Sequence, residues 1–234
     1  MEEQLNRKEE RKERKMRGNF ARKGLLWGGV FALFGAGAWA MVGLVPEAPA
    51  LEPGADIPAV VLEDHAWGLE TASVTLVEYG DFQCPACGSY FPVIQRLKEG
   101  FPDSLRIVFR QFPLRGIHPF ADVSARASEA AALQGKFWEM HDMLFERQRE
   151  WTADGDVRAR LAEYAEELGL DTARFSEDLD SPGVRDKVER DTLGGNAAKV
   201  QGTPTFFLQG KRIQNPRSYD EFKSLVEQAI QQIP

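Results

Sequence analysis

Residues 77–87 read VEYGDFQCPAC, and this stretch decides the fold because a strand pattern ends in it and a helix pattern begins. The β-branched residues of 74–79 favour a strand that ends at Gly80. Cys84 and Cys87 then stand where the helix should start, and they are the two cysteines of the chain. Two thiols at this spacing can close a disulfide across the first turn of a helix, which indicates thiol chemistry.

A zinc half-site and an inert structural disulfide are the alternatives for this pair. A structural zinc ion needs four ligands at matched spacings, and His65, His118 and His141 are too scattered to supply the other half. We interpret His141 as a packing residue. Because 234 residues can bury a core without crosslinks, the pair is free for catalysis. We therefore predict a redox-active disulfide, with no metal and no other cofactor.

The amino terminus predicts a membrane anchor. Residues 1–23 form a basic head of net charge +4, and residues 24–45 carry no charge. A helix of this length, at about 1.5 Å per residue, covers the roughly 30 Å hydrocarbon core of a bilayer. The positive-inside bias then keeps the head in the cytoplasm and places the rest of the chain on the periplasmic side of the cytoplasmic membrane.

A cleavable signal peptide is the alternative, since residues 38–40 read AWA, a small-x-small pattern. The apolar run is longer than the usual signal core, so we favour an uncleaved signal anchor. In either case the domain lies in a compartment where disulfides persist. The acidic remainder of the chain, with a net charge of −11, argues against a nucleic-acid partner.

Beyond the predicted anchor, residues 46–57 are rich in proline and alanine and indicate a stiff tether. A short apolar strand is expected at residues 59–62. A helix should run from Pro85 to about Lys98, with a kink at Pro92. Residues 105–112 then alternate as a strand does, with Arg106 and Arg110 on the polar face. Strand, helix and strand in this order predict a parallel unit with the cysteines at its turn.

The stretch from about 120 to 198 shows helical faces and no convincing strand, so we expect a helical insertion there. The strand pattern resumes at residues 205–208 and turns back at 209–210 as a hairpin. A last helix should begin at Ser218, where Glu221 completes a capping box. The chain is thus predicted to be an α/β domain with an inserted helical subdomain.

These features together resemble the thioredoxin superfamily, and within it the DsbA-like thiol:disulfide oxidoreductases. The resemblance covers residues 58–234 and rests on residues 77–87, on QGKFW at 134–138 and on GTPTF at 202–206. It implies a thioredoxin-like fold with a helical insertion between the two halves of the core. It also implies a protein-disulfide oxidoreductase that forms disulfide bonds in exported proteins through the two cysteines.

The resemblance implies further site residues. The bond between Thr203 and Pro204 would be cis and lie beside the disulfide, where it could pair with an extended substrate peptide together with Pro85 and Ala86. Glu78 would be a buried acid beneath the cysteines that moves the proton of the second thiol. The alternatives are an ordinary strand-opening proline and an exposed glutamate.

One departure from the family bears on the direction of electron flow. DsbA proper has a histidine between its cysteines, whereas this chain has Pro85 and Ala86. The helix N-terminus must then stabilise the Cys84 thiolate, and Asp81 would oppose it if the two side chains approach each other. We expect an oxidase in which Cys84 is attacked and Cys87 leaves; an extracytoplasmic reductase and a non-catalytic peptide-binding module are the alternatives.

The resemblance also implies partners. Exported proteins with cysteine thiols would be the substrates, and a quinone-linked membrane protein similar to DsbB would reoxidise the pair. We expect a monomer held to the membrane by residues 24–45. An isomerase is less favoured, because such enzymes usually carry a dimerisation domain and only a short tether precedes Ala59.

Overall fold

The computed structural model describes residues 56–153 and 155–232, and this part of the chain contains a five-stranded sheet. The strands lie in the order β1-β3-β2-β4-β5, with β2 and β3 parallel and the other neighbouring pairs antiparallel. Their bounds are β1 His65–Trp67, β2 Val74–Gly80, β3 Leu105–Gln111, β4 Thr205–Leu208 and β5 Lys211–Arg212.

Helix α1 (Pro85–Gly100) connects β2 to β3, which confirms the predicted strand–helix–strand unit. Pro92 lies inside this helix, and the helix ends two residues beyond the predicted Lys98. The strands resume at β4 as predicted. Between β3 and β4, all the helices and strands that the structure describes are helices. The remaining helices are α2 Ala121–Ala132, α3 Phe137–Glu146, α4 Gln148–Trp151, α5 Val157–Glu167, α6 Thr172–Asp178, α7 Pro182–Ala197 and α8 Tyr219–Gln231.

Both faces of the central strand β2 are buried, which explains its nearly continuous apolar sequence. Leu76 packs in a cluster with residues of α1 and α8, including Phe222. Tyr79 and Val77 lie in a different cluster with Phe207 and the segment that follows α7. The strand that leads to the cysteines is therefore fixed from both sides.

The predicted cap of the last helix is confirmed in part. The Ser218 hydroxyl accepts a hydrogen bond from the N–H of Glu221 at 3.2 Å. The Glu221 carboxylate accepts from the N–H of Arg217 at 2.7 Å, one residue before the position that a capping box uses.

His141 lies in an aromatic cluster between the insertion and the sheet, which confirms its interpretation as a packing residue. Its ring centroid is 4.8 Å from that of Phe109 and 4.9 Å from that of Trp138. Its Nδ1 lies 2.8 Å from a carboxylate oxygen of Asp142. Burial nevertheless lowers the pKa of His141 to about 4, so the ring is uncharged at neutral pH.

The strand predicted at residues 59–62 is wrong. Residues 59–61 have no regular structure and a turn follows at residues 62–63, where the N–H of Val61 donates to the Asp64 carboxylate at 2.9 Å. The carbonyl oxygen of Ala59 accepts a hydrogen bond from the Arg110 guanidinium at 2.8 Å. Because β1 pairs with β3 along this edge of the sheet, the segment is held by side chains instead of a strand ladder.

The prediction that Arg106 and Arg110 lie on a polar face of β3 is confirmed for Arg106, which is half-buried. It is wrong for Arg110, which is buried. Arg110 is 4% exposed and donates two hydrogen bonds to the Asp64 carboxylate, at 3.0 and 2.7 Å. It also donates to the Tyr79 hydroxyl at 3.1 Å and to the Pro58 carbonyl at 3.0 Å. A buried guanidinium is tolerated here because a carboxylate and several acceptors surround it.

Within the described residues, no helix is long and apolar enough to cross a bilayer. The predicted head (1–23), the predicted anchor (24–45) and all but the last two residues of the predicted tether (46–57) lie outside these residues.

Candidate active site

Cys84 occupies the N-cap position of α1, where its backbone is extended and Pro85 begins the helix. The N–H groups of the first helical turn are therefore not used in the helix, and those of Ala86 and Cys87 are directed at the Cys84 sulfur. The Cys84 thiol also lies 3.3 Å from the carbonyl oxygen of Thr203. This geometry confirms the predicted place of the cysteines at the turn from strand to helix.

The pKa of Cys84 is lowered to about 5. The largest cause is a hydrogen bond from the Cys87 thiol, which outweighs the opposing effect of burial. The Thr203 side chain and the N–H groups of Cys87 and Ala86 lower it further. Donors that point at the sulfur favour the thiolate, and the N–H groups of the helix terminus are among them, although the Cys87 thiol has the largest effect.

Cys87 lies one turn further along α1 and is 1% exposed. Burial raises its pKa well above the usual range, and the hydrogen bond to Cys84 and the negative charge of Glu78 add to this. Both cysteines are free thiols in the structure. The pair is thus asymmetric: Cys84 ionises readily, and Cys87 holds its proton.

Glu78 is the buried acid that the resemblance implies. It lies on β2, is 4% exposed, and pairs in register with Phe109 and Phe206 of the neighbouring strands. Burial raises the pKa of Glu78 to about 8, although the positive charge of Lys98 opposes the shift. An exposed glutamate is excluded, while a role in proton transfer stays a prediction.

Lys98 is a buried cation near Glu78 that the sequence reasoning missed. Its side chain is 8% exposed, and its ammonium lies 4.4 Å from the ring centroid of Trp138 and 4.0 Å from the Asp142 carboxylate. Burial lowers its pKa. Lys98 follows the buried Ile94 by four residues on α1, so the helical period could have placed it on the inner face.

The bond between Thr203 and Pro204 is cis, as predicted. The carbonyl of Pro204 accepts a hydrogen bond from the Asn215 amide at 2.7 Å, which ties this loop to the segment before α8. The structure therefore brings Thr203 and Pro204 to the cysteines, while Pro85 and Ala86 lie exposed beside Cys84.

Asp81 was expected to oppose the thiolate, yet its carboxylate is occupied by other donors. One oxygen accepts the N–H of Gln83 at 2.8 Å, and the other accepts the N–H of Leu114 at 3.0 Å. The Nδ1 of His118 lies 2.6 Å from that second oxygen. Asp81 and His118 thus hold the loop after β3 against the turn that precedes Cys84. The spacing of the histidines gave no signal for this pair.

Gln148, the first residue of α4, also contacts this turn. Its side-chain amide donates to the carbonyl oxygens of Phe82 and Cys84, at 2.7 and 2.9 Å. No pattern in the sequence indicated this contact, because it joins residues more than sixty positions apart. Among residues 56–153 and 155–232, no group of three His, Cys, Asp or Glu side chains is placed to hold a metal ion.

Comparisons with solved structures place this site in a known fold. BdbD from Bacillus subtilis is similar with a TM-score of 0.67 and 24% identity, over 80% of this chain and 100% of that chain. A thioredoxin-like oxidoreductase from Silicibacter pomeroyi gives 0.64 and 25%, over 74% and 95% of the two chains. The α-DsbA1 protein of Wolbachia pipientis gives 0.65 and 19%, over 74% and 93%.

The curated relatives carry a different name. The Na(+)/H(+) antiporter NhaA 1 of Salinispora arenicola is 41% identical over 175 residues, which are 74% of this chain and 26% of that protein. The NhaA of Herminiimonas arsenicoxydans is 45% identical over 176 residues, which are 72% of this chain and 27% of that protein. The chain thus spans about a quarter of the length of these relatives.

The thioredoxin family model matches residues 61–228, which include the two cysteines, the buried acid and the cis-proline loop. The chain therefore belongs to the thioredoxin family, with the fold of the DsbA-like thiol:disulfide oxidoreductases.

Proposed function

We propose that this chain is an extracytoplasmic dithiol oxidase, which transfers the disulfide between Cys84 and Cys87 to cysteine pairs of exported proteins. The observation that carries the proposal is the opposite tuning of the two thiols. The pKa of Cys84 is lowered to about 5, and that of the buried Cys87 is raised well above its usual range. A stabilised Cys84 thiolate favours the reduced pair, so the oxidised pair donates its disulfide readily.

The exchange proceeds through a mixed disulfide. A substrate thiolate attacks the Cys84 sulfur, the bond between Cys84 and Cys87 breaks, and Cys87 leaves with the electron pair. A second substrate thiolate then attacks the substrate sulfur, and Cys84 leaves as a thiolate. Two electrons pass from the substrate to the enzyme, and the substrate gains a disulfide. The low pKa of Cys84 makes it a good leaving group in the second step.

Glu78 supplies the proton that Cys87 needs as it leaves. With its pKa raised to about 8, Glu78 is mostly protonated at neutral pH and can serve as a general acid. When Glu78 is ionised, its negative charge raises the pKa of Cys87. This interaction supports the transfer of a proton between the two groups. On reoxidation the same carboxylate would accept the proton again.

Substrate peptides would lie along the loop that contains Thr203 and Pro204, next to the exposed Pro85 and Ala86. An extended peptide could pair with the backbone there, as in other cases of strand addition. The hydrogen bond that joins Cys84 to this loop supports the assignment, because it places the reactive sulfur at the loop's edge.

The location and the recycling partner are part of the proposal. Residues 24–45 would anchor a monomeric enzyme in the cytoplasmic membrane, and a quinone-linked membrane protein would reoxidise the pair. An alkaline phosphatase fused after residue 57 should be active, because that enzyme requires an oxidising compartment. An inactive fusion that is present in full amount would contradict the location.

A redox titration of the full-length protein against glutathione separates the oxidase from the reductase. The oxidase should have a potential well above the about −270 mV that is typical of thioredoxin. A potential near that of thioredoxin would favour the reductase. A Cys84→Ser, Cys87→Ser double variant that keeps full biological activity would instead support the non-catalytic binding module.

A further inference from the structure

Gln148 reaches from the helical insertion to the turn that carries the reactive cysteine. Its Nε2 donates to the carbonyl oxygens of Phe82 and Cys84, at 2.7 and 2.9 Å. The Cys84 carbonyl also accepts the N–H of Gly88 at 3.1 Å, which is the first hydrogen bond of α1. The amide of Gln148 therefore holds the point where the turn becomes a helix.

The glycine at position 88 makes this approach possible. A Cβ added to Gly88 would lie 2.5 Å from Oε1 and 3.0 Å from Cδ of Gln148. Real side chains do not approach a Cβ at the shorter of these distances, so any larger residue at position 88 would displace the amide. Gly88 lies within α1 and does not have the positive φ that favours glycine, and the Gln148 amide occupies the space that a side chain at this position would take.

The backbone of Gln148 is itself firmly placed. The Thr152 hydroxyl donates to the Gln148 carbonyl at 2.6 Å. Trp151, in the same short helix, is fully buried and donates from its indole nitrogen to the Leu144 carbonyl at 2.7 Å. A fixed backbone lets a long side chain such as glutamine hold a defined position at small entropic cost.

We propose that Gln148 is a positioning residue, through which the helical insertion stabilises the Cys84 thiolate. The inference rests on the proposed thiol chemistry and adds a residue to it. The amide offsets the negative ends of the Phe82 and Cys84 carbonyl dipoles in the turn that carries the sulfur. It also keeps the first turn of α1 in the position where the N–H groups of Ala86 and Cys87 point at Cys84.

The test compares Gln148→Met with a matched control, Gln134→Met, in the full-length reduced protein. Gln134 also lies in the insertion, and its amide bonds the backbone N–H and carbonyl of Asp171 at 2.9 and 3.1 Å. Both variants thus lose two hydrogen bonds to main-chain groups. The readouts are the pKa of Cys84, from the pH dependence of its alkylation, and the redox equilibrium constant with glutathione.

We expect Gln148→Met to raise the pKa of Cys84 by about half a unit to one unit, the size expected for two lost hydrogen bonds. The equilibrium constant for reduction of the pair should fall by up to about tenfold at pH 7. Gln134→Met should change neither value. An unchanged pKa in Gln148→Met would overturn the inference, as would an equal shift in both variants.

Gly88→Ala disturbs the same contact from the other side and decides the matter if Gln148→Met does not fold. Alanine favours a helix by about 1 kcal/mol over glycine, which opposes the loss of the displaced Gln148 contact, so a merely structural role predicts a change in stability at most and an unchanged Cys84 pKa. The inference predicts a raised Cys84 pKa, and an unchanged pKa would contradict it. A wild-type protein that does not exchange with glutathione would refute the proposed function, whereas the pKa comparison would still test Gln148.

Discussion

The thiol of Cys84 donates a hydrogen bond to the carbonyl oxygen of Thr203 across 3.3 Å, although 119 residues separate them. This contact joins the N-terminus of α1 to the loop that contains the cis bond before Pro204. The reactive sulfur is therefore placed by two distant parts of the chain, and the properties of each part can be tested separately.

The pKa of Cys84, about 5, predicts how the reduced protein reacts with iodoacetamide. The alkylation rate should reach half its maximum near pH 5, because the thiolate is the nucleophile. Since this pKa is lower in the folded state, the thiolate also stabilises the reduced fold. The contribution of the thiolate to the free energy of unfolding should be full above pH 9 and be lost as the pH falls towards 5. Cys84→Ser is the control, and a midpoint near pH 9 would contradict the assignment.

Thr203→Val should raise the pKa of Cys84 by about half a unit to one unit. The Thr203 side chain lowers this pKa, and its hydroxyl is buried without a hydrogen-bond partner within the part of the chain that the structure describes, so it can donate to a Cys84 thiolate. Alkylation between pH 4 and pH 9 measures the shift. Thr192→Val serves as the control, because its hydroxyl donates to the Val188 carbonyl within its own helix.

Glu78→Gln should stabilise the protein at neutral and alkaline pH. The pKa of Glu78 is raised from 4.5 to about 8, so the wild type loses stability as the pH rises through this range. We expect the variant to be more stable by about 1–3 kcal/mol at pH 7 and to match the wild type near pH 4.5. Urea unfolding at both pH values measures the difference. Equal stability of the wild type and Glu78→Gln at pH 7 would show that burial does not raise the pKa of Glu78.

The same variant should slow the release of Cys87 if Glu78 donates the proton. Single-turnover oxidation of a dithiol peptide should lose the rate component that titrates near pH 8 in the wild type. Glu99→Gln is a suitable control, since Glu99 is exposed on the same α1. An unchanged pH profile in Glu78→Gln would remove Glu78 from the mechanism and leave the cysteines in place.

Removing one partner of the buried pair Asp64 and Arg110 should cost about 3–5 kcal/mol of stability, because the other charge is left uncompensated. Asp64→Asn tests this with little change in shape. The exposed pair of Arg158 and Asp180 is the control, and Arg158→Met should cost about 1 kcal/mol or less. Equal losses in the two variants would contradict the account of the segment before β1.

Local patterns predicted the central elements of this fold well. The strand before the cysteines and the helix after them follow from apolar periodicity, and the cis-proline loop and the buried Glu78 follow from the family resemblance. The burial of Lys98 was also open to prediction, since it continues the inner face of α1. These features depend on neighbouring residues or on a motif, so the sequence carries them directly.

Contacts between distant residues could not be predicted in this way. The apolar residues 59–62 read as a strand, yet the pairing of β1 with β3 and the charge of Arg110 determine their structure. The contact of Gln148 with the Cys84 turn depends on how the insertion packs, which no local pattern encodes. The partner of Asp81 was likewise hidden, because His118 comes from another loop.

The most direct test of the central claim is oxidation of a reduced two-cysteine peptide by the oxidised full-length protein. The measured quantity is the amount of peptide disulfide formed per mole of enzyme. The account predicts rapid, stoichiometric transfer by the wild type and none by Cys84→Ser. Cys87→Ser, with a glutathione cap on Cys84, should form a mixed disulfide with the peptide through Cys84. A wild type that transfers no faster than Cys84→Ser would contradict the account.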